Sequence, residues 1–201
     1  MTDYEITWDQ RLRIQTTGRD EQNADQYRHP YEPTPYSVLQ RLVDSGLIGQ
    51  KDTVLDYGCG KGRVSFFLSY QTGARTIGIE YDPRMMRAAL ENRESAGCKG
   101  EFVLAKAEEY PVPGDVTVCY FFNPFSTEIL HKVMARILGS YYENPREMLL
   151  LFYYPSDEYV AHLMTVEALE FVDEIECDDL FGPDPRERIL IFRLPGCPAD
   201  V

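Results

Sequence analysis

The chain has 201 residues, 44% apolar and 26% charged, a composition that fits one soluble domain with a sizeable core. Its formal net charge is -13 and its pI about 4.6, and no run of Lys and Arg breaks the acidity, so a nucleic-acid partner is disfavoured and a small molecule or a basic protein is the better substrate class. Five scattered cysteines (Cys59, Cys98, Cys119, Cys177, Cys197) lack C-x-x-C spacing, the N-terminus is polar and acidic rather than a signal peptide, and the longest apolar run, Met148 to Tyr154, is too short to span a bilayer; this predicts reduced thiols, no metal site, no membrane span and a cytoplasmic location.

Residues 6–14 carry Ile6, Trp8, Leu12 and Ile14, a loose helical pattern. The polar stretch that follows reads as a mobile arm or as disorder, so residues 1–33 are expected to be an N-terminal arm or lid and 34–201 the domain proper. Thr34-Pro35 predicts a helix start, with Thr34 as cap and Val38, Leu39, Leu42 and Val43 on one face. Strand and helix then alternate. KDTVLDYG is the first strand, RVSFFLSYQTG a helix, and ARTIGIEY the second strand. Asp82-Pro83 caps a helix over 84–95, GEFVLAKA is the third strand and DVTVCYFF the fourth. STEILHKVMARILGSYY is an amphipathic helix, REMLLLFYYP the fifth strand, and DEYVAHLMTVEAL a helix. LEFVDEIECDDL and RERILIFRL close the chain as two strands with no helix between them. The alternation predicts a three-layer α/β sandwich with a mostly parallel seven-stranded sheet and a C-terminal antiparallel hairpin.

Ligands of open α/β sheets bind at the carboxyl ends of the strands, near the point where strand order reverses. Here the first strand ends in Asp56-Tyr57-Gly58-Cys59-Gly60-Lys61-Gly62. A dinucleotide loop would read G-x-G-x-x-G and seat a pyrophosphate on the next helix. This loop reads G-x-G-x-G, with a carboxylate two residues before its first glycine. That charge disfavours a pyrophosphate and suits a ligand with a cationic amino group. Lys61 is followed by Gly62, so no P-loop is present.

VLDYGCGKG, with Glu80-Tyr81-Asp82-Pro83 after the second strand, resembles the class I, seven-strand, Rossmann-like family of S-adenosyl-L-methionine (SAM)-dependent methyltransferases. The resemblance runs from Thr34 to Leu194 and implies SAM as cofactor. Carried onto this chain, it implies a SAM pocket formed by Tyr36, Asp56, Tyr57, Gly58, Cys59, Gly60, Gly62, Arg63, Glu80, Tyr81, Glu108 and Asn123. Within it Asp56 would face the methionine amino group, Glu80 the two ribose hydroxyls, and Tyr81 and Glu108 the adenine. Arg63 would meet the methionine carboxylate or face solvent, Thr34 or Tyr36 would reach the methionine end, and Tyr57 would offer its ring to the sulfonium. Asp82 reads as a helix cap, and Glu108 fits adenine contact and solvated surface equally.

Asn123-Pro124-Phe125, after the fourth strand, is similar to the N/D-P-P-Y/F/W motif of methyltransferases acting on amino groups, with one proline missing. It names Asn123, Pro124 and Phe125 as the catalytic group and nitrogen as an acceptor atom; a turn with Ser126 capping the next helix is the rival reading. Tyr153, Tyr154 and Pro155 line the acceptor side or belong to the core. His29, His131 and His162 lack metal-ligand spacing. Two other functions remain open at this point: a SAM-binding scaffold or partner subunit without catalysis, and a nucleotide-linked oxidoreductase.

Overall fold

The computed structural model describes residues 3–22, 25–97 and 100–196; Cys98 and Cys197 lie outside them. Seven strands form one sheet: β1 Thr53–Tyr57, β2 Arg75–Glu80, β3 Glu101–Leu104, β4 Val118–Phe122, β5 Met148–Tyr153, β6 Glu170–Glu176 and β7 Arg188–Leu194. Their order is β3-β2-β1-β4-β5-β7-β6. β1 to β5 pair in parallel, and β7 runs antiparallel between β5 and β6. Strand order therefore reverses between β1 and β4, which places a crevice at the ends of those two strands.

The helices are α1 Asp3–Leu12, α2 Tyr36–Asp44, α3 Arg63–Thr72, α4 Pro83–Ala96, α5 Thr127–Glu143, α6 Asp157–Leu163 and α7 Asp178–Phe181. One core lies between the sheet and α5 and α6, built from Leu55, Ile77, Phe121, Leu130, Val133, Ile137 and Phe152 among others. The other joins α1, α2 and α3 to the opposite face through Trp8, Tyr36, Leu39, Val54, Phe67 and Ile191. β1 is buried along its whole length, which explains why it reads as a continuous apolar run. In α5, Ile129, Leu130, Val133, Met134 and Ile137 repeat at helical spacing and all are buried. No helix among the described residues is long and apolar enough to cross a membrane.

Four local expectations are corrected. α1 is a regular helix rather than a loose pattern: Trp8 is buried edge-on against Phe67, with ring centroids 4.8 Å apart, and Leu12 and Ile14 are buried with it. The α2 cap is Pro35, not Thr34, whose hydroxyl pairs with the Tyr120 hydroxyl at 3.1 Å instead. Ser126 occupies the cap position of α5, but its hydroxyl makes no capping bond. Asp82 does cap α4, accepting from the Arg84 amide at 2.8 Å, with Pro83 at the first helical position. The sixth helix is shorter than predicted and stops at Leu163.

Candidate active site

At the ends of β1, β2 and β4, under Asp20 and residues 28–34, lies a cleft with about 990 Å³ of empty space, its open mouth included. Its walls include Asp56, Tyr57, Gly58, Cys59, Arg63, Glu80, Tyr81, Glu108, Pro124 and Phe125. The topology brings them together: β1 and β2 are in register, so Asp56 pairs with Gly78 and Tyr57 with Ile79, one step before Glu80.

The loop after β1 turns through left-handed backbone at Gly58 (φ 74°), Gly60 (φ 55°) and Gly62 (φ 89°). A Cβ on Gly58 would stand 2.8 Å from the Pro124 Cβ, so only glycine lets the first-strand loop approach the Asn123-Pro124-Phe125 segment. At Gly60 a Cβ would collide with the Tyr31 ring, which packs on the bare Cα.

Asp56 is 2% exposed and accepts one hydrogen bond from the Ser65 hydroxyl, at 3.0 Å. No cation pairs with it among the described residues, and burial pushes its carboxyl up to about 7, with nearby Glu80 adding to the rise. Glu80 is 6% exposed and is also raised by burial. Its Oε2 accepts from the Gly60 amide at 2.9 Å, and its Oε1 from the Tyr81 and Asp82 amides at 2.8 Å. Three of about four lone-pair sites are thus engaged, and a ligand bound through both ribose hydroxyls has to displace one of these amides.

Arg63 meets neither solvent nor a free carboxylate. It is 3% exposed, ion-paired with Glu5 and 3.7 Å from Asp9, and it donates to the Thr16 hydroxyl at 2.7 Å and to the Thr34 carbonyl at 3.2 Å. Its guanidinium lies 4.2 Å over the Tyr36 ring. The side chain ties the N-terminal segment to the glycine loop. Four expected pocket residues are not among the walls of the cleft. Tyr36 is fully buried beneath Arg63, its hydroxyl donating to Asp9 at 2.6 Å. Gly60 is covered by Tyr31, and Gly62 faces the rings of Phe66 and Phe102. Asn123, at φ 40°, lines a second chamber beyond the cleft instead. Tyr57 is stacked on Phe121 at 4.7 Å and 1% exposed, so it offers the cleft little of its ring face.

The residues that close the cleft were not singled out from the sequence. Arg28 donates to Glu108 at 3.1 Å and lies 4.6 Å over the Tyr81 ring. Arg84 is ion-paired with Asp20 at 3.2 Å. The His29 amide donates to the Pro124 carbonyl at 3.2 Å, and its Nδ1 donates to the Asn123 carbonyl at 2.6 Å. These pairs join residues 53 to 95 positions apart, and only an unusual density of Arg, His and Tyr in the polar stretch could have signalled them. His131 on α5 and His162 on α6 pack with ring centroids 3.9 Å apart and planes tilted by 49°, away from the cleft; burial and the neighbouring ring lower the His162 pKa. No group of three metal-binding side chains occurs among the described residues.

Residues 54–140 match the family model of a methyltransferase domain. The chain is similar to a protein-lysine N-methyltransferase of Saccharolobus islandicus, with 32% identity over 41% of this chain and 52% of that protein. It is also similar to a ribosomal protein L11 methyltransferase of Edwardsiella ictaluri, with 36% identity over 43% of this chain and 29% of that protein. The chain thus spans about half or less of these relatives. Its fold matches an RNA methyltransferase from Salinibacter ruber crystallised with S-adenosyl-L-homocysteine, with TM-score 0.56 and 21% identity over 84% of this chain and 98% of that one.

Proposed function

We propose that this chain, whose residues 54–140 match a methyltransferase domain and whose sheet has the order of the Rossmann-like class I fold, is an enzyme that binds SAM in the cleft and transfers its methyl group to a nitrogen acceptor. One observation carries this reading: a buried carboxylate, Asp56, with no cation beside it among the described residues, faces the cleft at the strand switch point. A buried carboxylate left without a counter-charge is costly, and a ligand bearing an ammonium group relieves that cost. A pyrophosphate would worsen it.

The residues present fit SAM. Asp56 would hold the amino group and Glu80 the ribose. Tyr81 and Glu108 would border the base, with Arg28 closing over both. When bound, SAM supplies an electrophilic methyl group on a cationic sulfonium. The chain's own part is to hold the acceptor in line and to keep water out. Pro124 and Phe125 line the cofactor side of that junction. Asn123 faces the other side, and its Oδ1 is buried with no hydrogen-bond partner among the described residues. A carbonyl oxygen in that state is suited to accept an N–H. Nitrogen is favoured over a phosphate-bearing acceptor for the same reason that the net charge of -13 disfavours nucleic acid. Residues 15–33 would serve as the lid.

Titration calorimetry with SAM and, separately, with NAD tests the cofactor. Binding of SAM alone is expected, and binding of NAD alone refutes the reading. Incubation of methyl-tritiated SAM with fractionated lysate then tests transfer. Label in protein or amine fractions supports the enzyme, whereas tight SAM binding with no labelled fraction supports a binding scaffold.

A further inference from the structure

A second chamber adjoins the cleft, with about 1270 Å³ of empty space, its mouth included. The two share His29, Pro30, Glu32 and Phe122, so one layer of residues parts them. Its chemistry differs from that of the cleft. Phe122, Tyr153 and Tyr154 form an aromatic corner, with ring centroids 4.7 Å apart for Phe122 and Tyr153 and 6.2 Å for Tyr153 and Tyr154. Glu187 opens onto this corner and accepts from the Tyr153 hydroxyl at 2.6 Å. No ion pair neutralises it among the described residues; Arg188, its neighbour in sequence, pairs with Glu174 instead. Arg19, the chamber's arginine, is engaged by Glu21 and Glu32. Asn123 adds the buried, unpartnered Oδ1. Asn123 (φ 40°) and Tyr154 (φ 51°) both sit in left-handed backbone, a strained state for side-chain-bearing residues that persists only where the surroundings impose it.

We propose that this chamber is the acceptor site and takes a primary alkylammonium on an extended carbon chain, of the kind a lysine side chain carries. Aromatic faces attract a cation and cover its methylenes. Glu187 supplies the counter-charge on binding and then takes one N–H proton, so that the neutral amine attacks the methyl carbon as the sulfur leaves with the bonding pair as S-adenosyl-L-homocysteine, and the Asn123 Oδ1 accepts a remaining N–H. A neutral or anionic acceptor would leave Glu187 unpaired. The inference rests on the methyltransferase reading of the neighbouring cleft and adds the substrate class.

The test uses the full chain saturated with S-adenosyl-L-homocysteine, whose own binding is measured first. Calorimetry then compares acetyl-Gly-Gly-Lys-Gly-Gly-amide with the same peptide carrying norleucine in place of lysine. The lysine peptide is expected to bind at least tenfold more tightly, since a charge-assisted hydrogen bond is worth about 1.5–3 kcal/mol. The Glu187→Gln variant keeps an acceptor for Tyr153 and is expected to lose about tenfold in lysine-peptide affinity with its affinity for S-adenosyl-L-homocysteine unchanged. The norleucine comparison needs no variant, so the proposal stays testable if Glu187→Gln does not fold. A third arm with 1-aminopentane separates sources of the same chemistry: equal affinity assigns a free amine, much weaker affinity a protein lysine. Equal binding of the lysine and norleucine peptides to a chain that does bind S-adenosyl-L-homocysteine overturns the acceptor site alone. Failure to bind S-adenosyl-L-homocysteine overturns the reading beneath it.

Discussion

Replacement of Asp56 by Asn separates stability from binding. The carboxyl has a folded pKa of about 7 against an ordinary 3.8. At about 1.4 kcal/mol per pH unit, the shifted titration of Asp56 lowers stability, relative to acid pH, by roughly 4–5 kcal/mol at pH 8 and by roughly 1–2 kcal/mol at pH 5. Because the pKa is raised, the group's contribution to stability is fully present below pH 3.8 and is lost as pH rises through about 7. Asn removes the titration and still accepts from the Ser65 hydroxyl, but its amide hydrogens go unpaired at a cost of about 1–3 kcal/mol at every pH. The variant should therefore gain about 3 kcal/mol on the wild type between pH 5 and pH 8, read by urea denaturation at both values. SAM binding should fall at least tenfold, because the charge facing the ammonium is gone. An offset that is the same at pH 5 and pH 8 would refute the reasoning, since a carboxyl with an ordinary pKa leaves no such pH trace.

Arg63→Met should cost about 3 kcal/mol in the same assay, because it leaves the buried Asp9 and the half-buried Glu5 without their cation. It should also speed proteolysis of residues 15–33, which the arginine anchors through Thr16 and Thr34. Gly60→Ala should cost about 2 kcal/mol from the φ of 55° and from displacement of the Tyr31 ring; adding Tyr31→Ala should recover part of this, a coupling that a double-mutant cycle measures. Glu80→Gln should weaken SAM binding about tenfold, and calorimetry should show a smaller loss for a 2′-deoxyribose analogue, which already lacks one of the hydroxyls that Glu80 would accept.

What the sequence disclosed and what it withheld divides by contact range. Strand periodicity, the loop glycines and the Asp82-Pro83 cap are local signals, and they gave β1 to β5, the closing pair and the start of α4. The Gly58 requirement was legible as a glycine, but its cause, Pro124, lies 66 positions away and becomes visible only when β1 and β4 pair. Thr34 looked like a cap because Thr before Pro often is one; a tertiary partner, the Tyr120 hydroxyl, claimed its side chain. Arg63, the first residue after the glycine loop, reads from the sequence as meeting ligand or solvent; its ionic partners come from α1. Glu187 carried no local motif at all, and its importance arises from the antiparallel return of β7 beside Tyr153.

Magnitudes also decide where the N-terminal segment would open. Its root is a buried knot: Arg63 with Glu5 and Asp9, and Asp9 accepting from the Thr16 amide and hydroxyl at 2.6 Å each. Breaking such a knot costs several kcal/mol. Further along, the segment is held by the partly exposed Arg84–Asp20 and Arg28–Glu108 pairs, each worth about 1 kcal/mol or less. The Tyr31 ring and the two His29 contacts add to them. Opening from Thr17 to Pro33 therefore costs far less than release of α1. A lid that hinges after Thr16 would expose the cleft and the second chamber together, because His29, Pro30 and Glu32 wall both. Cofactor and acceptor would then share one gate, and a bound cofactor that draws Arg28 and Tyr31 down would also finish the acceptor's wall. Binding order follows from that geometry: the acceptor peptide should bind measurably more tightly after S-adenosyl-L-homocysteine than before it, and equal affinity in both orders would separate the two chambers thermodynamically.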